Sequence, residues 1–304
     1  MLHTPGNLAT NHFSKVTSHP VKTSLHQRQP PNNRLQFIIP NQGTKTKNHC
    51  CSNMMASSDK APDSMPVGDG SVPPGKPMTM GHQVVDKTAQ MLQTLKPIKQ
   101  MSQHVCTFAV YGHDMSRQIE THHYITRLNQ DFLQCAVYDS DEPTARLIGV
   151  EYIVSDRILD TLPPDEQKLW HSHDHEVTSG MWMNPGVPEM NQRSELENMA
   201  HTYGKFWCTW QVDRGDKLPL GAPALMMSPQ MVNMSVIKPE LVRERDRKFK
   251  ISTDEARKSR VNFPVSKPGN ARVADYWMHT GKSFAVDIEQ VEMKDLGGQK
   301  IPSI

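Results

Sequence analysis

The chain has 304 residues, 36% of them hydrophobic, and its 34 Lys and Arg residues nearly balance its 32 Asp and Glu residues, which gives a formal net charge of +2. This balance argues against a protein that binds nucleic acid through its overall charge. No stretch reaches the roughly 18 uninterrupted apolar residues that a membrane-spanning helix needs. The five cysteines lack C-x-x-C spacing, so we expect no disulfide framework, and Cys106, Cys135 and Cys208 are predicted to be buried thiols.

Residues 1–82 are predicted to form a disordered leader. No Asp or Glu precedes Asp59, and the few apolar residues before it are scattered among Ser, Thr, Asn, Gln and Pro, which leaves too little apolar surface to build a core. Residues 1–53 could instead be a transit peptide, which would place the protein in plastids. A third interpretation is that Met54 or Met55 is the true start and that the upstream residues extend the gene model.

The folded part is predicted to begin with an amphipathic helix over 83–99. Apolar residues recur there at helical spacing, and we expect this face to pack against the core, although the helix is also a candidate for lipid contact. Residues 104–112 are β-branched and aromatic enough for a strand. Residues 113–132 are predicted to form a helix, with Asp114 as its N-cap.

The rest of the chain alternates between predicted strands and helices. Strands over 133–139 and 145–154 are expected to form a hairpin, because an acidic turn joins them. The pattern favours an α+β fold, a mixed or antiparallel sheet packed with helices, as a domain over 83–262 that is followed by a polar, helical C-terminal extension over 263–304. The remaining predictions are short helices over 155–162 and 163–170, a helix over 188–203, a strand over 206–212 and a highly charged helix over 239–260.

Four long motifs carry a family resemblance: HHYITRLNQDFLQCAVYDS, ARLIGVEYIVSDRILDTL, LWHSHDHEVTSG and TWQVDRGDKLPLGAPALMMSPQ. In this order, they resemble the plant oil body-associated protein family over about residues 83–262. The resemblance implies localisation to the surface of seed oil bodies, which are lipid droplets, and a part in their size and stability. It implies no established catalytic activity.

The third motif resembles a family pattern H-S-H-x-x-E-V-x-S-G, in which His171, His173 and Glu176 are matched and His175 falls at a variable place. An extended chain would point His171, His173 and His175 to one face, whereas a helix would pair only His171 with His175. Imidazole and carboxylate groups are Zn²⁺ ligands, so one hypothesis is a divalent metal site. Its candidate ligands are His171, His173 and Glu176, completed by His122 or His123. The alternative is that the histidines only form hydrogen bonds within the fold.

The segment RERDRKFK has five basic residues in eight positions. It could be a solvated helix face, or its cations could lie on an anionic phospholipid surface. The candidate lipid-contact residues are Arg243, Arg245, Arg247, Lys248 and Lys250. Nucleic acid is a weaker interpretation, because no aromatic platform or groove-reading helix accompanies the charge. A second charged cluster, at 213–217, is predicted to hold a long loop by ion pairs; the alternative is that these residues line a site.

Two functional hypotheses follow. The first is a non-catalytic protein that associates peripherally with the phospholipid monolayer of lipid droplets, located at the droplet surface and in the cytoplasm. The second is a metal-dependent enzyme, or a small-ligand-binding protein, that uses the His171 and His173 patch. No cofactor other than a divalent metal such as Zn²⁺ is indicated, and the sequence leaves the oligomeric state open.

Overall fold

The computed structural model describes residues 73–230, 237–264 and 273–291. Most of the predicted leader lies outside these residues, and with it the choice between a transit peptide and a later start; half of the predicted C-terminal extension lies outside them as well. The predicted domain boundaries therefore stay predictions. Within the described part of the extension, one short helix is present, Tyr276–Thr280.

The described chain alternates between strands and helices. Its strands are β1 Gln103–Tyr111, β2 Asp114–Asn129, β3 Phe132–Tyr138, β4 Leu147–Ser155, β5 His171–Ser172, β6 Thr202–Cys208 and β7 Ala224–Met227. Its α-helices are α1 Met80–Leu92, α2 Lys96–Lys99, α3 Asp156–Leu159, α4 Pro164–Gln167, α5 Asp174–Thr178, α6 Glu189–Met199, α7 Pro239–Phe249, α8 Thr253–Ser259 and α9 Tyr276–Thr280.

Six strands close into an antiparallel barrel. Neighbouring strands follow the order β1, β2, β3, β4, β6 and β7, and β7 pairs with β1 to complete the ring, while β5 adds two residues beside β6. Successive side chains of a strand point to opposite faces. In β1, Val105 and Ala109 therefore join a hydrophobic cluster to which all six barrel strands contribute. Phe108 and Val110 join a second cluster, which packs against α7 and α9.

The predicted α+β class is confirmed, and so are the strands and the hairpin expected between residues 104 and 154. The strand predicted over 104–112 is β1, and the two hairpin strands are β3 and β4, which pair antiparallel with Cys135 opposite Glu151. The three cysteines expected to be buried thiols are buried and free. The helix predicted over 239–260 is present as two helices, α7 and α8.

The helix predicted over 113–132 is wrong, because this segment is the sixteen-residue strand β2. Apolar residues four apart suit a helical face, but they also suit one face of a strand, since four is an even number. In the structure, Ile119 lies opposite Ala109 of β1 and Ile125 lies opposite Cys135 of β3. Asp114 does not cap a helix; its carboxylate accepts the backbone N–H of Ser116 at the turn between β1 and β2.

The core packing predicted for the helix over 83–99 is also wrong. The structure forms α1 there, whose N-cap Thr79 accepts the N–H of His82, and then the short helix α2. Neither helix has a buried residue, and the Met91 and Leu92 side chains are 86% and 79% exposed. Helix α1 therefore presents its apolar side chains to solvent. None of the helices in the described residues is long and apolar enough to cross a membrane.

A buried arginine connects the helices beside the barrel. Arg260, directly after α8, donates to the carbonyl oxygens of Val177 and Trp182 at 2.9 and 2.8 Å. It also forms two hydrogen bonds to the carboxylate of Glu189 in α6, at 2.6 and 2.8 Å. These bonds join α8 to α5 and α6, next to the histidine motif.

The charged loop at 213–217 is held by ion pairs, as the sequence predicts, although one partner comes from β2. Asp213 accepts two bonds from Arg117 of β2, at 2.7 and 2.8 Å, and one from the Tyr111 hydroxyl at 2.6 Å. Arg214 pairs with Asp216 at 2.6 Å. Burial would raise the pKa of Asp213, but the bonds from Arg117 and Tyr111 hold this pKa below its usual value.

We expect Asp213→Asn to lower the free energy of unfolding by about 1 to 3 kcal/mol at pH 7. The substitution removes the charged acceptor of two hydrogen bonds from Arg117 and of one from the Tyr111 hydroxyl. A lowered pKa stabilises the fold above the ordinary carboxyl pKa of about 4, and this contribution disappears as the pH falls through the lowered value. Urea unfolding at pH 7 and at pH 3 measures both effects. A difference between variant and wild type that stays constant down to pH 3 would contradict this role.

Candidate metal centre

The histidine motif is neither wholly extended nor wholly helical. β5 contains only His171 and Ser172, His173 is the N-cap of α5, and α5 begins at Asp174. The backbone N–H of His173 donates to the carbonyl of Thr202 in β6. The change from strand to helix turns His171 and His173 toward one point in the protein interior, where both are buried.

The two histidines meet Glu151, which β4 directs inward. Nε2 of His171 and Nε2 of His173 lie 3.2 and 3.5 Å from the Oε1 atom of Glu151. From β2, which lies beyond β3 in the barrel, Nδ1 of His123 lies 2.8 Å from the other carboxylate oxygen, Oε2. We call Glu151, His123, His171 and His173 the inner cluster. All four are buried, and Glu151 is only 2% exposed.

The inner cluster keeps a buried carboxylate ionised. Burial would raise the pKa of Glu151, but the charge of His123 and the close contacts of the carboxylate with the three imidazoles hold this pKa well below its usual range. For His171, burial would lower the pKa, but the bond to Glu151 raises it above its usual value. An ionised carboxylate in the interior requires a compensating cation, which is either a protonated imidazole or a metal ion.

The hydrogen bonds around His173 determine which of its ring nitrogens carries the proton in the neutral imidazole. The hydroxyl of Thr202 donates to the carbonyl oxygen of Met199 at 2.7 Å. The same hydroxyl oxygen lies 2.9 Å from Nδ1 of His173. Because the only hydroxyl proton is already used, the oxygen must accept there, and Nδ1 carries a proton. In the neutral imidazole, Nε2 then has a free lone pair directed at Glu151.

Gly204 of β6 leaves the space that the inner cluster occupies. It lies opposite Ile153 of β4 and opposite His171 of β5. A Cβ atom at this position would lie 2.6 and 2.7 Å from the Nε2 atoms of His171 and His173, and closer still to Oε1 of Glu151. Three ligand atoms therefore converge on one place beside the Gly204 backbone.

Two other predicted ligands lie close by but in different surroundings. Glu176 lines a small cavity that the four residues of the inner cluster also line, and its carboxylate accepts a hydrogen bond of 2.5 Å from the Thr107 hydroxyl. His122 lies on the opposite face of β2 from His123. There its Nδ1 atom lies 2.9 Å from Nε2 of His104, and its Nε2 atom lies 3.1 Å from Oε1 of Glu120. The structure thus brings His171, His173 and His123 together and separates His122 from them.

Among the described residues, three groups could hold a metal ion. One is Glu151, His171 and His173, the second is His123, Cys135 and Glu151, and the third, on the other face of the sheet, is Cys106, Glu120 and His122. Sequence reasoning missed Glu151 as a ligand. The signal was present, since Glu151 is the one charge inside the apolar run of residues 147–154, and a charge in a buried strand needs a partner.

The structure also separates the candidate lipid-contact residues. Arg245 is 1% exposed; it donates to the carbonyl of Met181 and lies over the ring of Phe108, so its guanidinium faces the protein. Lys248 pairs with Asp141. The remaining candidates, Arg243, Arg247 and Lys250, are exposed.

Comparison with known proteins places this site within a family. Residues 95–264 match the family described as "Protein of unknown function (DUF1264)". The chain is 60% identical to oil body-associated protein 2A of Arabidopsis thaliana over 80% of this chain and 98% of that relative. It is 54% identical to oil body-associated protein 2A of Zea mays, over 79% of this chain and 98% of the relative. More distant is oil body-associated protein 1B of Arabidopsis thaliana, 38% identical over 74% of this chain and 91% of the relative.

No solved structure matches the chain. The identity to the curated relatives extends over nearly their whole length, and the family match includes the barrel strands and the inner cluster. The chain therefore belongs to the oil body-associated protein family, as its four long motifs indicate.

Proposed function

We propose that the protein attaches peripherally to the phospholipid surface of oil bodies, through the exposed apolar side of α1, and contributes there to droplet size and stability without catalytic turnover. Two observations support this proposal. Its relatives are named oil body-associated proteins. The observation that carries the mode of attachment is that α1, an amphipathic helix, buries none of its side chains in the described structure.

Helix α1 has the side-chain distribution of an interfacial helix. At 3.6 residues per turn, its large apolar residues fall on one side and its charged and amide residues on the other. Each large apolar residue is at least 62% exposed. A helix of this kind lies in the plane of a lipid surface, and each buried CH₂ group contributes about 0.8 kcal/mol to binding. The apolar residues are Met80, Val84, Val85, Met91 and Leu92, and the polar ones are Gln83, Asp86, Lys87 and Gln90.

The charges of this region favour an anionic surface. Helix α1 carries Lys87 and Asp86, and α2 adds Lys96 and Lys99. A lysine near an anionic phospholipid surface contributes about 1 kcal/mol, and salt screens this contribution. Helices α1 and α2 therefore combine apolar and electrostatic attraction in 20 consecutive residues, Met80–Lys99.

Helix α7 is a weaker candidate for attachment. Its exposed cations, Arg243 and Arg247, could approach a phospholipid headgroup, but its apolar residues Leu241 and Val242 pack against the protein. Charge without apolar contact gives binding that salt screens. We therefore assign α7 an electrostatic contribution and α1 the apolar contact.

We expect the double variant Val84→Glu and Met91→Glu to bind artificial droplets at least about tenfold more weakly than wild type, because two charges enter the apolar side of α1. The measurement is flotation of the full chain with triacylglycerol droplets coated with a monolayer that contains anionic phospholipid. Thermal unfolding should be unchanged, since neither side chain is buried.

The matched control is Gln83→Glu with Gln90→Glu, which places the same two charges on the polar side of α1. It should retain most of the binding at moderate salt. Equal flotation of both double variants and wild type would exclude α1 as the attachment site. Loss of binding only in Arg243→Glu with Arg247→Glu would assign attachment to α7 instead.

A further inference from the structure

We propose that Glu151, His171 and His173 bind a single divalent transition-metal ion, best suited to Zn²⁺, inside the barrel. The ligand atoms are Oε1 of Glu151 and Nε2 of each histidine. This inference goes beyond attachment to oil bodies and is independent of it, because α1 contributes no residue to the inner cluster.

The distances from Oε1 of Glu151 to the two Nε2 atoms fit shared coordination of a metal ion and lie at or beyond the long end of hydrogen-bond lengths. Hydrogen bonds between nitrogen and oxygen are about 2.7 to 3.2 Å long, most often about 2.9 to 3.0 Å. Ligand atoms about 2.0 to 2.1 Å from a tetrahedral Zn²⁺ lie about 3.3 to 3.4 Å from one another. The separations of the Glu151 Oε1 atom from the two Nε2 atoms are 3.2 and 3.5 Å. They agree with the edges of such a tetrahedron.

The proton positions also leave a place for a cation. Nδ1 of His173 is protonated by the argument from Thr202, so the neutral imidazole directs a lone pair at the carboxylate. Two acceptors that face each other in a buried site are unfavourable unless a cation lies between them. A metal ion satisfies both. Thr202 then acts as the outer-shell partner that orients a metal-binding histidine.

The other carboxylate oxygen has its own partner. Oε2 of Glu151 lies 2.8 Å from Nδ1 of His123, and Nε2 of His123 lies 2.9 Å from the Thr121 hydroxyl. This contact holds the carboxylate so that Oε1 remains directed toward the two Nε2 atoms. His123 is therefore a positioning residue for Glu151.

The ligand set and its surroundings select the class of metal. Two imidazoles with one carboxylate suit Zn²⁺ and its neighbours, whereas Ca²⁺ and Mg²⁺ prefer oxygen ligands throughout. The three side chains leave a fourth tetrahedral position. The adjoining cavity has a volume of about 10 Å³ and is lined by Thr107, Glu176 and Trp182 among others. This is about the space of one water molecule, which would complete the coordination.

The experiment uses the full chain without a histidine tag, freed of metal by a chelator and titrated with Co²⁺ and with Zn²⁺. We expect saturation at about one ion per chain and a higher melting temperature with Zn²⁺. His173→Gln should weaken binding by more than about 100-fold, beyond the 10- to 100-fold typical of outer-shell changes. The matched control is His122→Gln, a buried histidine of the same barrel outside the inner cluster, which should bind like wild type.

The Co²⁺ absorption spectrum needs no variant and distinguishes the proposed group from the two candidate groups that contain a cysteine. Coordination by Glu151, His171 and His173 gives visible bands without the intense near-ultraviolet band of a thiolate ligand, since the set contains no cysteine. A thiolate band would place the metal at Cys106 or Cys135 and overturn the proposal. Absence of saturable binding by wild type, or loss of binding in His122→Gln but not in His173→Gln, would overturn it as well.

Discussion

Gly149→Ala is expected to prevent stable folding or to lower the free energy of unfolding by more than about 3 kcal/mol, as overpacking of a core does in severe cases. Gly149 lies in β4, opposite Cys208 of β6, where these two strands pair in the barrel wall. An added Cβ atom would overlap the backbone carbonyl of Trp207 and would lie 2.7 Å from the ring of Phe206. The backbone of β6 cannot move away easily, because β7 pairs with its other edge.

Urea unfolding followed by circular dichroism measures this effect, and Gly75→Ala is the matched control. A Cβ atom at Gly75 would meet nothing within 4 Å, so the control should unfold like wild type. If Gly149→Ala unfolded within about 0.5 kcal/mol of wild type, the close approach of β4 and β6 would be wrong, since ordinary surface substitutions stay within that range.

Arg260→Met is expected to lower the free energy of unfolding by about 3 to 5 kcal/mol, because a fully buried guanidinium and its four hydrogen bonds are lost together and two buried carbonyl oxygens lose their donors. The Arg260 side chain is 1% exposed, and its loss would leave the carbonyl oxygens of Val177 and Trp182 without these donors. Glu189 of α6 would lose both of its bonds to the guanidinium. Thermal or urea unfolding measures the loss.

The control for Arg260 is Arg257→Met in the neighbouring helix α8. Arg257 pairs with Asp254 on the surface, and its side chain is 56% exposed. Exposed pairs contribute about 0 to 1 kcal/mol, so this variant should differ little from wild type. Equal destabilisation by both substitutions would mean that Arg260 acts through surface charge and not through its buried bonds.

The strands with a clear hydrophobic pattern could be predicted from the sequence. In β3, Leu133, Cys135 and Val137 alternate with less buried residues, and this period of two is visible without a structure. β2 could not be predicted in the same way. Its interior positions include Thr121 and His123, whose polarity hides the alternation, and burial on both sides of the barrel wall decides its conformation.

The candidate site was predicted in part, because local sequence identifies ligands that are near one another but not those that the fold brings from elsewhere. His171 and His173 are two residues apart, so their pairing was accessible from the motif. Glu151 reaches them only because β6 pairs with β4 on one side and with β5 on the other, both at Gly204. The choice between His122 and His123 required the register of β2, since a shift of one residue exchanges the two faces.

The closed ring of strands affects how the barrel unfolds. An open sheet exposes the unpaired backbone groups of its outermost strands, and these groups template growth of fibrils and fray first. Here, each of the six ring strands has a hydrogen-bonded neighbour on both sides. The backbone amides of all six ring strands should therefore show similar protection from hydrogen exchange. They should lose this protection together, in one cooperative opening, and not strand by strand from an edge. Such a protein is suited to persist beside other copies of itself at high local density without joining them through its backbone.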